Sequence, residues 1–182
     1  MKKICISLVF LFIIFLTAGC NAGQFNSETN DTSEFLRIHI RANSNDELDQ
    51  NIKYSVKESV VNYLTPLIAQ CQSKNDAKVV ITQKAKTLEY IIDGILRDGG
   101  FEYSSRIVVK NEKFPTRVYG DFTLQSGYYD AVIVELGSAK GDNWWCVVYP
   151  PLCFTSGENL RYKSKIMEII AEFKKRFCQD DD

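Results

Sequence analysis

The sequence predicts an α+β domain in which a mostly antiparallel sheet packs with an antiparallel helix pair and a C-terminal helix. Three observations carry this. Apolar residues recur every three or four positions from about residue 48 to 96, the period drops to two from Phe101 onward, and helical spacing returns near the C-terminus. The length of 182 residues, with 45% hydrophobic and 25% charged, suits one folded domain and excludes disordered or collagen-like classes. A formal net charge of −1 offers no basic field for gathering nucleic acid.

The chain opens with Lys2 and Lys3, then a nearly unbroken apolar run from Ile4 to Leu16. This reads as an export signal over residues 1–19, because thirteen residues of helix rise only about 20 Å, short of the roughly 30 Å hydrocarbon core. Leu16-Thr17-Ala18-Gly19-Cys20 has the form of a bacterial lipobox, in which Cys20 becomes the lipidated first residue; the alternative is an ordinary secretory cut nearby. Removing Lys2 and Lys3 with the leader takes the net charge from −1 to −3. Residues 20–33 are rich in Asn, Ser, Thr, Asp and Gly with Phe25 as the single large apolar residue, so they read as a flexible tether. One folded domain is expected over 34–178, followed by the solvated acidic tail 179–182.

Within that domain Leu36, Ile38, Ile40 and Ala42 alternate with Arg37, His39 and Arg41, the pattern of a half-buried strand with one apolar and one polar face. Ser44-Asn45-Asp46-Glu47 matches a capping box, and Leu48, Ile52, Val56, Val60 and Leu64, widened by Val61 and Ile68, make the apolar stripe of a helix that Pro66 ends or kinks. Ser73-Lys74-Asn75-Asp76 repeats the capping pattern ahead of Leu88, Ile91, Ile92, Ile95 and Leu96, with a stop at Gly99-Gly100. Strands follow through Phe101, Tyr103, Ile107 and Val109, then at 118–124, 128–136 and 143–149, the last two apolar on both faces as expected of covered central strands. Ile166, Ile169, Ile170 and Phe173 form the stripe of the closing helix.

Gly141-Asp142-Asn143-Trp144-Trp145-Cys146-Val147-Val148-Tyr149-Pro150-Pro151-Leu152-Cys153-Phe154 resembles the signature of the stage II sporulation protein R family. Phe114-Pro115-Thr116-Arg117-Val118-Tyr119-Gly120 is similar to a second element of that family, and Arg37-Ile38-His39-Ile40-Arg41-Ala42-Asn43-Ser44 to its opening strand and turn. The resemblance implies a signalling protein of endospore-forming bacteria, exported from the forespore into the space between forespore and mother-cell membranes. It implies no catalytic residue, metal or cofactor. Family members trigger a membrane-embedded aspartic protease in the mother-cell membrane, which cleaves the inactive precursor of the mother-cell sigma factor. The expected partners are that protease and, through lipidated Cys20, a membrane surface. A second reading is an extracytoplasmic lipoprotein that binds a small solute or another envelope protein.

Trp144 and Trp145 are neighbours on an apparent strand, so their rings point to opposite faces, and one that stays exposed would suit a contact. Arg117 and Tyr119 form a second candidate contact beside Pro115, with a Tyr packed on the sheet as the alternative; the expected partner face joins Arg117 to Tyr119 with Asn143 to Phe154. Cys146 and Cys153 flank the bend at Pro150-Pro151 and are the favoured disulfide, although Cys71 and Cys178 leave three connectivities and free thiols open. Zinc is disfavoured by the lack of short Cys spacing or a His cluster. A thiolate from Cys146 or Cys153 with His39 as base is the one thiol-imidazole arrangement the chain allows, and nothing local activates it. The Arg37-His39-Arg41 row reads as an ordinary polar face, with contact to an acidic receptor surface or lipid headgroups as the alternative.

Overall fold

In the computed structural model, the described residues are 32–119, 122–154 and 160–177. The leader, Cys20, most of the tether, Cys178 and the acidic tail lie outside them. The elements run β1 (Leu36–Arg41), α1 (Glu47–Ile68), α2 (Lys74–Asp98), β2 (Ser105–Phe114), β3 (Arg117–Tyr119), β4 (Phe122–Leu124), β5 (Gly127–Leu136), β6 (Asn143–Tyr149) and α3 (Leu160–Phe177). The fold is α+β, as the periodicities predict.

The main sheet has the order β2-β5-β1-β6, and β3 and β4 form a separate two-stranded sheet. β5 pairs antiparallel with β2, β1 antiparallel with β6, and the central β1–β5 pair is parallel. The run expected as a single strand over 118–124 is therefore a short hairpin, inserted where β2 and β5 meet at Phe114 and Gly127. Pro115, whose fixed φ also restricts Phe114 before it, separates β2 from β3.

Two cores sandwich the sheet. On one face Ile38, Ile40, Val132, Val134 and Val148 meet Val56, Val60 and Leu64 of α1 and Ile81, Leu88 and Ile92 of α2. On the other, Phe114, Tyr129, Ala131, Ile133 and Val147 pack with Phe35, Leu124 and Phe173. Helix α3 serves both, through Ile166, Ile169 and Ile170 on the first and Phe173 on the second.

This second core corrects the expectation for β1. Its alternation is real, but the face carrying Arg37 and His39 is not wet: Arg37 is 0% and His39 1% exposed. A strand with a neighbour on each side and a layer over each face has no solvent face to give, so the Arg37-His39-Arg41 row is not a surface for an acidic partner.

The helix termini also differ in detail. Ser73 caps α2 as expected, its hydroxyl accepting from the Asp76 amide at 3.1 Å. Helix α1 instead starts from Asp46 without a side-chain cap, while the Ser44 hydroxyl accepts from the Asp46 amide. Leu48 is 72% exposed, and its expected place in the stripe belongs to Asp49 and Lys53, both buried. Pro66 does not end the helix, since α1 continues for two more residues to Ile68; the carbonyl left without its amide is that of Asn62, one turn before the proline.

The buried charges at the start of α1 serve the turn after β1. Asp49 accepts from Asn43 at 2.8 Å and from the Tyr103 hydroxyl at 2.5 Å. Burial alone would raise the Asp49 carboxyl, yet hydrogen bonds from Tyr103, Ser44 and Asn43 hold it below the usual range. Asn43 also accepts from the Ser138 amide, and Asn45 from the Asp142 amide at 2.6 Å, so residues 42–45 clamp the β5–β6 connection. Gly141 donates to the Ala42 carbonyl at 2.9 Å, and a Cβ there would overlap the Ser44 carbonyl. Gly141→Ala is expected to lower stability by about 1–3 kcal/mol, the usual cost of overpacking, measured as a fall in denaturation midpoint; an unchanged midpoint would show that this clamp yields freely.

Candidate partner-binding site

The residues singled out in the sequence are divided between the two faces of the sheet, Arg37, His39, Tyr119 and Trp145 with the second core and Trp144, Cys146 and Cys153 with the helix-side core. Arg37 projects from β1 into a cage of rings, its guanidinium carbon 4.3 Å from the Phe114 centroid, 4.8 Å from Tyr129 and 5.6 Å from Tyr119. Its Nη2 donates to the Tyr119 hydroxyl at 2.7 Å, while Nε and Nη1 have no hydrogen-bond partner. Burial pulls its affinity for the proton down, and Tyr119 and Tyr129 partly restore it. The ring faces attract the cation, which is what makes a buried guanidinium tolerable here.

Tyr119 therefore anchors the β3–β4 hairpin to the sheet through Arg37. This is the packed-tyrosine alternative, and it leaves Arg117 and Val118 as the outward residues of β3. Val118 is 66% exposed.

One step along β1, His39 stacks on Trp145 with ring centroids 3.7 Å apart and meets the edge of Phe114 at 5.9 Å. Its Nδ1 lies 3.3 Å from Glu112 Oε1. Arg41 binds the same Glu112 oxygen and also Glu135 at 3.2 Å, and Lys110 pairs with the other Glu112 oxygen at 2.9 Å. Burial lowers the proton affinity of His39, against the raising pull of Asn143 and Glu112 and with the help of Arg41. The imidazole is consequently neutral at pH 7.

Trp144 and Trp145 point to opposite faces and are each partly buried, Trp144 against the helix-side core and Trp145 against the second. Asn143 is exposed, but at the far end of β6. It pairs with Arg41, whereas Tyr149 pairs with Leu36 near the hairpin, and six residue steps of strand separate the two by about 20 Å. Arg117 and Asn143 thus stand at opposite poles of the sheet. Phe154 closes a 3-10 turn from Leu152.

Cys146 and Cys153 form a disulfide across the Pro150-Pro151 bend, with Cα atoms 5.9 Å apart, and Cys71 is a free, buried thiol. Burial raises the Cys71 thiol above its ordinary value. With both sulfurs bonded to each other and His39 enclosed by Trp145, Phe114 and Glu112, the thiol-imidazole pairing does not form. Among the described residues no cluster of His, Cys, Asp and Glu suits a metal ion.

Over this same span, a family model described as Stage II sporulation protein R matches residues 32–159. The chain belongs to that family. It is 31% identical over 168 residues to Stage II sporulation protein R of Bacillus subtilis (strain 168), covering 87% of this chain and 74% of that protein. No solved structure matches. The family name ties the chain to sporulation. Helix α3 lies beyond the family match yet fills both cores.

Sequence reasoning finds the aromatic and basic residues of the family elements but not their partners. Glu112 and Tyr129 are brought to them by the β2–β5 register, in which Glu112 faces Tyr129 beside the Phe114–Gly127 pair.

Two predictions test the cage. Tyr119→Phe removes the hydrogen bond to Arg37 and is expected to cost about 1–3 kcal/mol, while Arg37→Met, apolar and of similar volume, should be neutral or stabilising. A thermal midpoint for Arg37→Met far below wild type would refute this account. For His39, the folded state binds its proton less well than the ordinary value of 6.5. Its contribution is complete above that pH and is lost as pH falls from 6.5 toward the depressed value, by about 1.4 kcal/mol for each unit of depression. His39→Gln should flatten the loss of stability between pH 7 and 5 without removing the later loss from Glu112, whose lowered carboxyl acts below its ordinary 4.5. Equal slopes for the two proteins would overturn the assignment.

Proposed function

We propose that this chain is exported through its apolar leader, held at the forespore membrane by lipid on Cys20, and activates a membrane-embedded aspartic protease in the mother-cell membrane. That protease then processes the precursor of the mother-cell sigma factor. The observation that supports this reading is the family match across nearly the whole described domain, residues 32–159. Among the described residues no helix is long and apolar enough to cross a membrane, so attachment in this reading falls to the N-terminal segment.

A ligand shifts a receptor only through unequal affinity for its states, so the domain must bind the active form of the protease better than the idle one. Its role is recognition, carried by exposed residues on a stiff framework. Arg117 remains an outward candidate for that contact. Trp144 and Trp145, each partly exposed, would contribute to the contact.

Reconstitution in a non-sporulating host tests the reading. With the exported chain, the protease and the sigma-factor precursor expressed together, precursor cleavage on a gel is expected only when this chain is present. Absence of cleavage, with all three proteins folded and correctly located, would favour an envelope protein that binds a small solute or another partner.

A further inference from the structure

β2 is an edge strand of ten residues, and only half of its outer edge is closed. Helix α2 closes the first half with two carboxylates: Asp93 accepts from the Ser105 amide at 2.6 Å and Glu89 from the Ile107 amide at 2.7 Å. Those bonds establish which amides point away from β5. The β2–β5 register runs from Ser105–Leu136 to Phe114–Gly127 without a shift, so the alternation continues and Val109, Asn111 and Lys113 also turn their amides and carbonyls outward. No described residue meets these groups.

The open half is also positively charged. Lys110, Lys113 and, just beyond the strand, Arg117 are exposed, and the acid among them, Glu112, is already engaged by Arg41, Lys110 and His39. Exposed Tyr128, 64% accessible, stands opposite Lys113 on β5 and adds an aromatic ring behind the edge. Lysines on an edge discourage pairing between two copies, since like charges add, and favour a strand of opposite charge.

We propose that the outer edge of β2 from Val109 to Lys113 is the docking site for an extended, acidic segment of the partner protein, which adds to the sheet as a fifth strand. Main-chain bonds to Val109, Asn111 and Lys113 supply the pairing, and Lys110, Lys113 and Arg117 select acidic side chains. This rests on the protease reading above and names the surface through which it would act. Arg117 follows the end of β2 by three residues and is exposed, so the positive charge continues along the chain into β3.

The test uses the full chain in the three-protein host. Asn111→Pro removes an outward amide without breaking a bond to β5, so folding should survive, as judged by a thermal midpoint near wild type, while cleavage falls at least tenfold. Lys113→Glu should also fall tenfold, and Lys113→Arg should keep wild-type cleavage. Wild-type cleavage by folded Asn111→Pro overturns the edge proposal and leaves the protease reading intact; absence of cleavage with the wild-type chain overturns both. Hydrogen exchange on the wild-type chain covers the case in which the proline variant unfolds. Exchange at the amides of Val109, Asn111 and Lys113 should slow at least tenfold in membranes containing the protease and stay unchanged in protease-free membranes. Equal slowing in both membranes, or slowing that grows with the chain's own concentration, would assign the edge to lipid or to a second copy and overturn the proposal.

Discussion

Arg37 carries into the second core a charge that the protein cannot discharge, because a guanidinium keeps its proton at any physiological pH. Removal from water is costly, and with one hydrogen bond to Tyr119 the cation depends on the ring faces of Phe114, Tyr129 and Tyr119 for the remainder of its stabilisation. Each ring comes from a different strand, so the requirement fixes the arrangement of the whole face. β2 and β5 must pair in the register that flanks Arg37 with Phe114 and Tyr129, and the β3–β4 hairpin must fold back far enough to deliver Tyr119. The same strand places His39 against Trp145, which ties β6 into the cluster from the other side.

Much of the fold is legible in the sequence because its signals are local. Ser73 can cap α2, the Gly99-Gly100 pair can stop it, and Ile166, Ile169 and Ile170 can mark the inner face of α3 without reference to distant residues. The face of β1 is different. Arg37 and His39 look wet when their strand is read alone, and only the doubly apolar β5 and β6 hint that the sheet is covered on both sides. Whether a basic residue on such a strand meets water or a ring depends on β2 and β5, some seventy to ninety residues away. The displacement of Leu48 by Asp49 and Lys53 has the same origin, since the buried carboxylate is paid for by Asn43 and Tyr103, which no helical period can foresee.

The residues that carry the family resemblance are for the most part structural. Ala42 and Asn43 hold the β5–β6 connection, Gly141 allows that connection to approach, Arg37 and Tyr119 join the hairpin to the sheet, and Cys146 and Cys153 close the bend after β6. Conspicuous chemistry in this sequence is thus largely the chemistry of its packing. Trp145 is the clearest instance, its ring stacked on His39 and set edge-on to Phe114.

These structural roles bear on the proposed recognition of another protein. A ligand selects one receptor state only to the extent that it does not bend to fit the other, and a stiff ligand also loses little freedom on binding. The Arg37 cage, the Asn43–Asp49 clamp and the disulfide each restrain a connection that would otherwise be among the softest parts of an α+β domain. With the two faces of the sheet covered by packed cores and the first half of the β2 edge closed by Asp93 and Glu89, the main-chain groups from Val109 to Lys113 are held in position but left open. Rigidity at the centre and openness along one edge are the two properties that strand addition to a receptor requires.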